Sequence, residues 1–235
     1  DDLMVAEKLE LKVKAMLEND VDFVVSKTAN FKPNNKNTFK INKYDNNLDY
    51  KLNLINFLNK KSYCLTYDFF TKKRTVRDVK FSESIKSNQE TNFFIKFLSQ
   101  REFKSHFIDR VLTKRRLHDN TIRSRVETDI KTSSIKKSLA FINAYEYLTE
   151  KNINKPTLVK IESIILRSLL WANFELSKND LETFACNLKR NRGIFQFICF
   201  NFLIFFKRYK KGYIFYKKLQ NYDKYNFKLD EVRHL

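Results

Sequence analysis

The sequence has almost no glycine and almost no proline, since each occurs only twice in 235 residues. Glycine-rich loops that cradle phosphates need several glycines for close backbone approach, so GxxxxGK[ST] and GxGxxG sites are excluded. An all-β fold is disfavoured because hairpin turns call for residues with positive φ, although asparagine can replace glycine there. The scarcity of both residues favours helices.

Cysteine and histidine are also scarce and scattered. Cys64, Cys186 and Cys199 form an odd, widely spaced set, which excludes a disulfide framework and a CxxC pair and predicts buried free thiols in a reducing compartment. No histidine or cysteine pair has the spacing of zinc ligands, so we predict no metal ion and no cofactor. GxSxG and HExxH motifs are missing too, and no catalytic residue is predicted.

Acidic residues are few relative to basic ones. The chain has 46 lysines and arginines against 27 carboxylates, a formal net charge of +19. Such a surplus repels itself and favours an anionic partner, either nucleic-acid phosphates or an anionic membrane surface. Lysine, asparagine and phenylalanine are encoded by A- and T-rich codons, so a drift of the genome towards A and T would raise the lysine content without any role in binding. Arginine clusters therefore indicate binding better than lysine runs do.

Apolar residues are plentiful, at 43% of the chain with 23 phenylalanines, which argues against disorder. The longest apolar run, from Ile194 to Phe206, is interrupted by Gln196 and Asn201. It is shorter than the roughly 20 residues of a membrane-spanning helix. We interpret it as a buried helix with basic ends, and membrane contact is the less favoured alternative.

Hydrophobic periodicity predicts a mainly α fold: a helical bundle over residues ~92–222, preceded by a less regular or α+β N-terminal part. Four segments follow: a helix or arm at 1–30, an Asn/Lys-rich linker at 31–48, a small irregular or α+β segment at 49–90, and a helical domain at 91–235. The chain begins at Asp1 without methionine, so we expect a segment upstream.

Three local predictions can be compared with the structure. The N-terminal helix is predicted to bury Leu3, Leu9, Val13, Met16 and Leu17. Two strands joined by a basic turn are predicted within 62–81. A helix ending near Leu117 is predicted from the spacing of Phe103, Phe107, Ile108, Val111 and Leu112.

Three basic clusters are the candidate nucleic-acid-binding residues. The first is Arg110, Lys114, Arg115, Arg116, Arg123 and Arg125, the second is Lys189, Arg190, Arg192, Lys207, Arg208, Lys210 and Lys211, and the third is Lys72, Lys73, Arg74 and Arg77. The dipole of a helix C-terminus accounts for the first four. It does not account for Arg123 and Arg125, and arginine suits bidentate phosphate recognition. Solvated surface is the alternative for each cluster.

These observations predict a non-enzymatic RNA-binding structural subunit of a ribonucleoprotein, most simply a ribosome-like one. Its partners would be RNA, in particular rRNA, and neighbouring proteins of a large assembly. The predicted location is intracellular, in a mitochondrial or other organellar matrix or in the cytoplasm.

Three alternatives stay open. The first is a helical DNA-binding module that uses a helix within 120–146. The second is a metal-dependent nuclease, with Asp68 and Asp78 holding a cation and Lys80 beside them. The third is a basic subunit of an organellar membrane complex.

Overall fold

The computed structural model describes residues 2–32, 35–41, 51–117, 130–151, 153, 155–171, 176–207 and 212–219. The chain divides into two compact units. The first comprises Asp1–Ser84 and Asn88–Ile130, and the second comprises Ile85–Ser87 and Lys131–Leu235.

The first unit is built on a mixed sheet with the strand order β1-β5-β2-β3. Its strands are β1 (Leu3–Met4), β2 (Phe23–Lys32), β3 (Asn35–Ile41), β4 (Phe69–Thr71) and β5 (Ser105–Arg116), and its helices are α1 (Lys8–Glu18), α2 (Leu54–Leu58) and α3 (Gln89–Leu98). β2 and β5 run parallel, whereas β1 is antiparallel to β5. The short β4 pairs with the first residues of β2, and β3 pairs with the last ones.

Helices cover both faces of β2. On one face, Val24 joins Ala15 and Met16 of α1 in an apolar cluster. On the other, the Phe23 ring lies 5.8 Å from the Phe97 ring of α3. Side chains of a strand alternate between faces, so this double cover requires apolar residues at consecutive positions. The Phe-Val-Val start of β2 meets that requirement.

The predicted helix ending near Leu117 is wrong, because residues 105–116 form β5. The pairing of β5 with β2 shifts register where Ser26 faces Ile108 and Lys27 faces Val111. Such a bulge breaks the alternation of side chains. Apolar residues therefore recur at spacings that imitate a helix.

Two further N-terminal predictions are wrong. The first part of the expected linker, 31–48, is strand: β2 continues to Lys32 and β3 begins at Asn35. The basic segment after β4 forms a 3-10 helix, Lys73–Thr75, and β4 pairs with β2, so no hairpin forms across 62–81.

The predicted apolar face of the N-terminal helix is confirmed at Met16 and wrong at its other four residues. α1 buries Lys8, Lys12, Ala15 and Met16. Leu3, Leu9, Val13 and Leu17 are exposed. The lysines of α1 find polar acceptors in the turn at 66–68 and in β5, so they pack inward and the leucines lie outside.

The described part of the second unit is helical, with α4 (Ile130–Glu150), α5 (Lys155–Trp171), α6 (Lys178–Arg192), α7 (Ile194–Lys207) and α8 (213–219). Ser177 caps α6, since its side chain accepts a hydrogen bond from the Asp180 N–H at 3.1 Å. Gly193 ends α6 with φ of 93°, a conformation that side chains disfavour. The predicted break before the Phe-rich helix is confirmed.

The predicted class, mainly helical with an α+β N-terminal part, is confirmed in that coarse form. The bundle begins later than predicted, because α3 and β5 belong to the first unit. Two of the cysteines, Cys64 and Cys199, are buried free thiols as predicted, whereas Cys186 is exposed. Across the described ranges, no helix combines the length and apolarity that crossing a bilayer requires.

The orientation of α1 gives a direct test on two adjacent residues. Met16 is 5% exposed and Leu17 is 70% exposed. We expect Met16→Ala to lower the free energy of unfolding by about 2–5 kcal/mol, because it leaves a cavity. Leu17→Ala should change it by less than about 0.5 kcal/mol. Urea denaturation of both variants measures this, and equal losses would contradict the assigned face.

Candidate functional site

The carboxyl ends of the parallel strands β2 and β5 lie side by side at one edge of the sheet. Asn30 of β2 is opposite Arg115 of β5, and Phe31 is opposite Arg116. In open α/β sheets, ligands bind outside the carboxyl ends of parallel strands. Lys114, Arg115 and Arg116, which belong to the first predicted basic cluster, therefore lie at the carboxyl end of β5, where a ligand would bind. We call this edge of the sheet the carboxyl edge.

Arg116 is held in place at this edge by the start of the chain and by β2. Its backbone N–H donates to the Asp2 carboxylate at 3.0 Å. Its guanidinium lies 5.6 Å from the centre of the Phe31 ring, in a cation–π contact. The next backbone N–H, of Leu117, donates to the Phe31 carbonyl at 2.8 Å.

Three buried polar atoms belonging to this region have no hydrogen-bond partner among the described residues: Asn30 Oδ1, Tyr67 Oη and Arg116 Nε. Asn30 and Arg116 lie at the ends of the two parallel strands, and the Tyr67 carbonyl accepts hydrogen bonds from Lys8 and from the Thr113 hydroxyl of β5. A buried polar atom without a partner costs about 1–3 kcal/mol. Their occurrence together marks the carboxyl edge as a place where a polar ligand would satisfy donors and acceptors.

Two buried lysines of α1 fix the segment that carries Tyr67. Lys8 Nζ donates to the Tyr67 carbonyl at 2.7 Å and to Thr113 Oγ1 at 2.8 Å. Lys12 Nζ donates to the Asp68 carbonyl, and the Asp68 carboxylate accepts a hydrogen bond from the Thr28 hydroxyl. Thr28 and Thr113 are partners across β2 and β5. The lysines thus tie the 67–68 segment to the middle of the sheet.

Burial dominates the titration of these groups. It lowers the pKa of Lys12 from 10.5 to about 8, and the neighbouring Lys8 charge acts in the same direction while Asp68 opposes both. Burial also lowers the pKa of Lys8, against the attraction of Asp68 and Asp2. It raises the pKa of the Tyr67 phenol, which stays protonated and able to donate a hydrogen bond.

The charge at the carboxyl edge suits an anion with more than one acceptor oxygen. Lys114, Arg115 and Arg116 follow one another at the end of β5, and Asp2 is the carboxylate beside them. Guanidinium groups bind phosphate oxygens in pairs, which gives both affinity and orientation. In the described part of the chain, no three His, Cys, Asp or Glu side chains are grouped as metal ligands would be.

A second buried polar cluster lies in the other unit and has a structural explanation. The Tyr145 hydroxyl donates to the Glu162 carboxylate at 2.5 Å, and the Asn191 amide donates to Tyr145 Oη and Thr149 Oγ1 at 2.9 Å each. Arg192 Nε lies 3.9 Å from Glu162 Oε2. Burial raises the pKa of Glu162, against Arg192 and the Tyr145 hydrogen bond. Five side chains from α4, α5 and α6 are joined in this way.

The remaining predicted basic residues are distributed over several elements. Arg110 is exposed in the bulge of β5, and Lys189 and Arg190 are exposed in the last turn of α6. Arg192 is largely buried beside Glu162, and Lys207 ends α7. The third cluster, Lys72, Lys73, Arg74 and Arg77, lies in and around the 3-10 helix after β4. Arg123, Arg125, Arg208, Lys210 and Lys211 are outside the described residues.

The proposed nuclease residues do not form the predicted pair of strands. Asp68 is buried in a turn, where the Thr28 hydroxyl donates to it. Asp78 is exposed in the turn after the 3-10 helix, and Lys80 follows it outside any strand. A carboxylate already bonded in the interior and another exposed on a turn provide no support for a shared cation.

Sequence reasoning missed Asn30, Tyr67, Lys8 and Lys12. A lysine on a helix is normally solvent-exposed, and Lys12 is 1% exposed. One signal was available: α1 has Lys8 and Lys12 four residues apart, on one helical face. The hydrogen-bond partners of these lysines lie 56 to 105 positions away in the sequence, so only the folded chain shows the cluster.

Comparison with known proteins gives a match only at the level of the fold. No protein family and no curated protein matches the sequence. The chain is similar in structure to residues 1–349 of S. aureus TarS, crystallised in complex with UDP, with a TM-score of 0.53 and 13% sequence identity. The match covers 96% of this chain and 65% of that chain, so our chain spans less than two thirds of its length.

This similarity overturns the predicted function. An RNA-binding subunit of a ribonucleoprotein is wrong, because the fold resembles that of a protein crystallised with UDP. The similarity gives no support to the DNA-binding, nuclease or organellar membrane-complex alternatives. The physical reason is that net charge reports an affinity for anions without distinguishing a polymer from a small diphosphate.

Lys12 predicts how stability depends on pH. Its folded-state pKa of about 8 lies below the ordinary value of 10.5, so the unfolded chain binds more protons between these pH values. The contribution of Lys12 to the free energy of unfolding must therefore rise with pH from about 8 to about 10.5, by at most roughly 1.4 kcal/mol per unit. Lys12→Met should remove this rise in urea denaturation.

Lys14→Met is the matched control, since that side chain is 66% exposed. The free energy of unfolding of this variant should differ from that of the unsubstituted protein by the same amount at every pH. If the corresponding difference for Lys12→Met is also constant between pH 7.5 and 10, Lys12 does not have the lowered pKa described above.

The network around Glu162 gives a test in the second unit. Glu162→Ala removes the carboxylate beside the buried Arg192, and we expect it to lower the free energy of unfolding by about 3–5 kcal/mol. Glu182→Ala removes an exposed carboxylate that lies 3.6 Å from Lys178, and should cost less than about 1 kcal/mol. Thermal unfolding followed by circular dichroism compares them, and equal shifts would contradict the structural role.

Proposed function

We propose that this chain binds a uridine diphosphate nucleotide at the carboxyl edge of the first unit, as part of a nucleotide-sugar glycosyltransferase. The observation that carries the proposal is the fold similarity, over 96% of the chain, to a protein crystallised with UDP. That protein is a nucleotide-sugar glycosyltransferase. Because the chain spans 65% of it, the sugar and the acceptor are left open.

The geometry of the carboxyl edge supports a diphosphate there. Arg115 and Arg116 end β5 beside the end of β2, where ligands of α/β sheets bind, and the Arg116 guanidinium lies over the Phe31 ring. The phosphate oxygens would accept hydrogen bonds from these guanidiniums, including the buried Nε of Arg116. Binding would then satisfy an atom that has no partner in the described chain.

Tyr67 and Asn30 offer complementary groups for the rest of the nucleotide. The protonated Tyr67 hydroxyl can donate, and Asn30 Oδ1 can accept from a ribose hydroxyl or from a base N–H. Lys8 and Lys12 act indirectly, because they hold the 67–68 segment that positions Tyr67. In this proposal, they are positioning residues and touch no ligand.

Calorimetric titration with UDP tests the proposal. We expect the unsubstituted protein to bind UDP, and Arg115→Gln to weaken binding about tenfold or more, since a charge-assisted hydrogen bond contributes about 1.5–3 kcal/mol. Arg190→Gln is the matched control, because it removes an exposed arginine from α6 in the other unit. It should leave the UDP affinity unchanged.

Two outcomes would contradict the proposal. One is the absence of UDP binding by the folded protein. The other is an equal loss of affinity in the Arg115 and Arg190 variants, which would show nonspecific attraction to a positively charged protein. A titration with uridine distinguishes the contribution of the diphosphate from that of the base. Uridine should bind weakly, and its affinity should not change in Arg115→Gln.

A further inference from the structure

α7 exposes a large apolar surface on the side opposite its buried face. Gln196, Cys199, Phe200 and Leu203 are buried in the second unit. Ile194, Phe195, Ile198, Phe202 and Phe205 are exposed. At 3.6 residues per turn, these five fall within about a third of the helix circumference. A helix that is apolar all round is normally buried on all sides, so this face calls for a covering partner.

The apolar face continues onto α8. The Phe215 ring stacks on Phe202 at 5.3 Å and on Phe206 at 5.4 Å. Tyr213 and Ile214 of the same helix are exposed beside it. Both helices belong to the second unit. We call the exposed side chains of α7 and α8 the aromatic face.

Cations border the aromatic face in the described part of the chain. Lys189 and Arg190 precede α7, Lys207 ends it, and the sequence from 189 to 219 has no aspartate or glutamate. Lys189 Nζ lies 5.6 Å from the centre of the Phe197 ring, and Lys217 Nζ lies 5.2 Å from that of Tyr213. Lys217 and Lys218 are exposed at the end of α8.

We propose that the aromatic face docks on an anionic lipid surface, with α7 lying in the plane of the interface. An interfacial helix combines an apolar face rich in Phe and Leu with flanking lysines and arginines, and its binding adds apolar burial to attraction for anionic headgroups. α7 has 14 residues, which is too short to span a bilayer. Long basic side chains at its ends can reach the headgroups while the rings enter the acyl boundary.

Charge complementarity selects lipid as the occupant. A membrane surface presents anionic groups all around an inserted apolar patch, which matches cations at both ends of α7 and along α8. A second copy of the chain would bring the same positive residues together across the interface, and like charges oppose that contact. The inference concerns the second unit alone and stands independently of nucleotide binding at the carboxyl edge.

Vesicle flotation tests the proposal with two lipid compositions, phosphatidylcholine alone and phosphatidylcholine mixed with phosphatidylglycerol. We expect the protein to float with the anionic vesicles and to bind at least about tenfold less to the neutral ones, with binding that weakens as salt rises. The double variant Ile194→Ser/Phe205→Ser changes side chains that are 62% and 60% exposed. It should reduce partitioning at least about tenfold, because it removes inserted apolar groups.

The matched control is Leu9→Ser/Leu17→Ser, which removes two exposed apolar residues from α1 in the first unit. It should bind vesicles as the unsubstituted protein does. A second pair, Lys217→Gln/Lys218→Gln, should weaken binding about fivefold per charge and leaves the apolar core unchanged. Circular dichroism melting checks that every variant is folded.

Several results would overturn the inference. The first is no flotation of the unsubstituted protein with anionic vesicles. The second is equal flotation of the α7 and α1 double variants when both are folded. The third is a dimer in sedimentation velocity that dissociates with Ile194→Ser/Phe205→Ser while vesicle binding is absent, which would assign the face to a second copy.

Discussion

The parallel pairing of β2 with β5 is the interaction on which the first unit depends. It joins residues 23–31 to residues 105–116, across some eighty positions of sequence. The pairing brings Thr28 beside Thr113, whose hydroxyl accepts a hydrogen bond from Lys8 of α1, and Asn30 beside Arg115. The position of every group at the carboxyl edge follows from this register, including the shift at Ser26 and Lys27.

The buried lysines position neighbouring parts of the core, although burying their charge costs free energy. Removing Lys12 from water lowers its pKa and disfavours the charged form, while its bond to the Asp68 carbonyl recovers part of that cost. In exchange, the two lysines fix a position. The long side chains of Lys8 and Lys12 reach the 67–68 segment, which short apolar residues could not hold. α1 therefore buries its lysines and exposes Leu9, Val13 and Leu17.

The second unit is held together by apolar packing and by one carboxylate that two side chains share. Glu162 joins Tyr145 and Arg192 in the interior, so part of the basic excess is satisfied within the protein. The cations near α7 and α8 remain at the surface beside exposed aromatic rings. The excess of lysine and arginine thus occurs in three settings: the carboxyl edge of the sheet, a buried ion pair, and the border of an apolar face.

The sequence by itself determined the helical second unit, the break at Gly193 and the scarcity of metal-ligating residues, because helix periodicity, glycine φ and ligand spacing are local properties. It also determined the formal net charge of +19. Only the tertiary structure decided that 105–116 is a strand, since the bulge in β5 gives its apolar residues a spacing that imitates a helix. Tertiary structure alone also decided that Arg115 and Arg116 stand beside Asn30, because the two segments meet through long-range pairing, which no local pattern encodes.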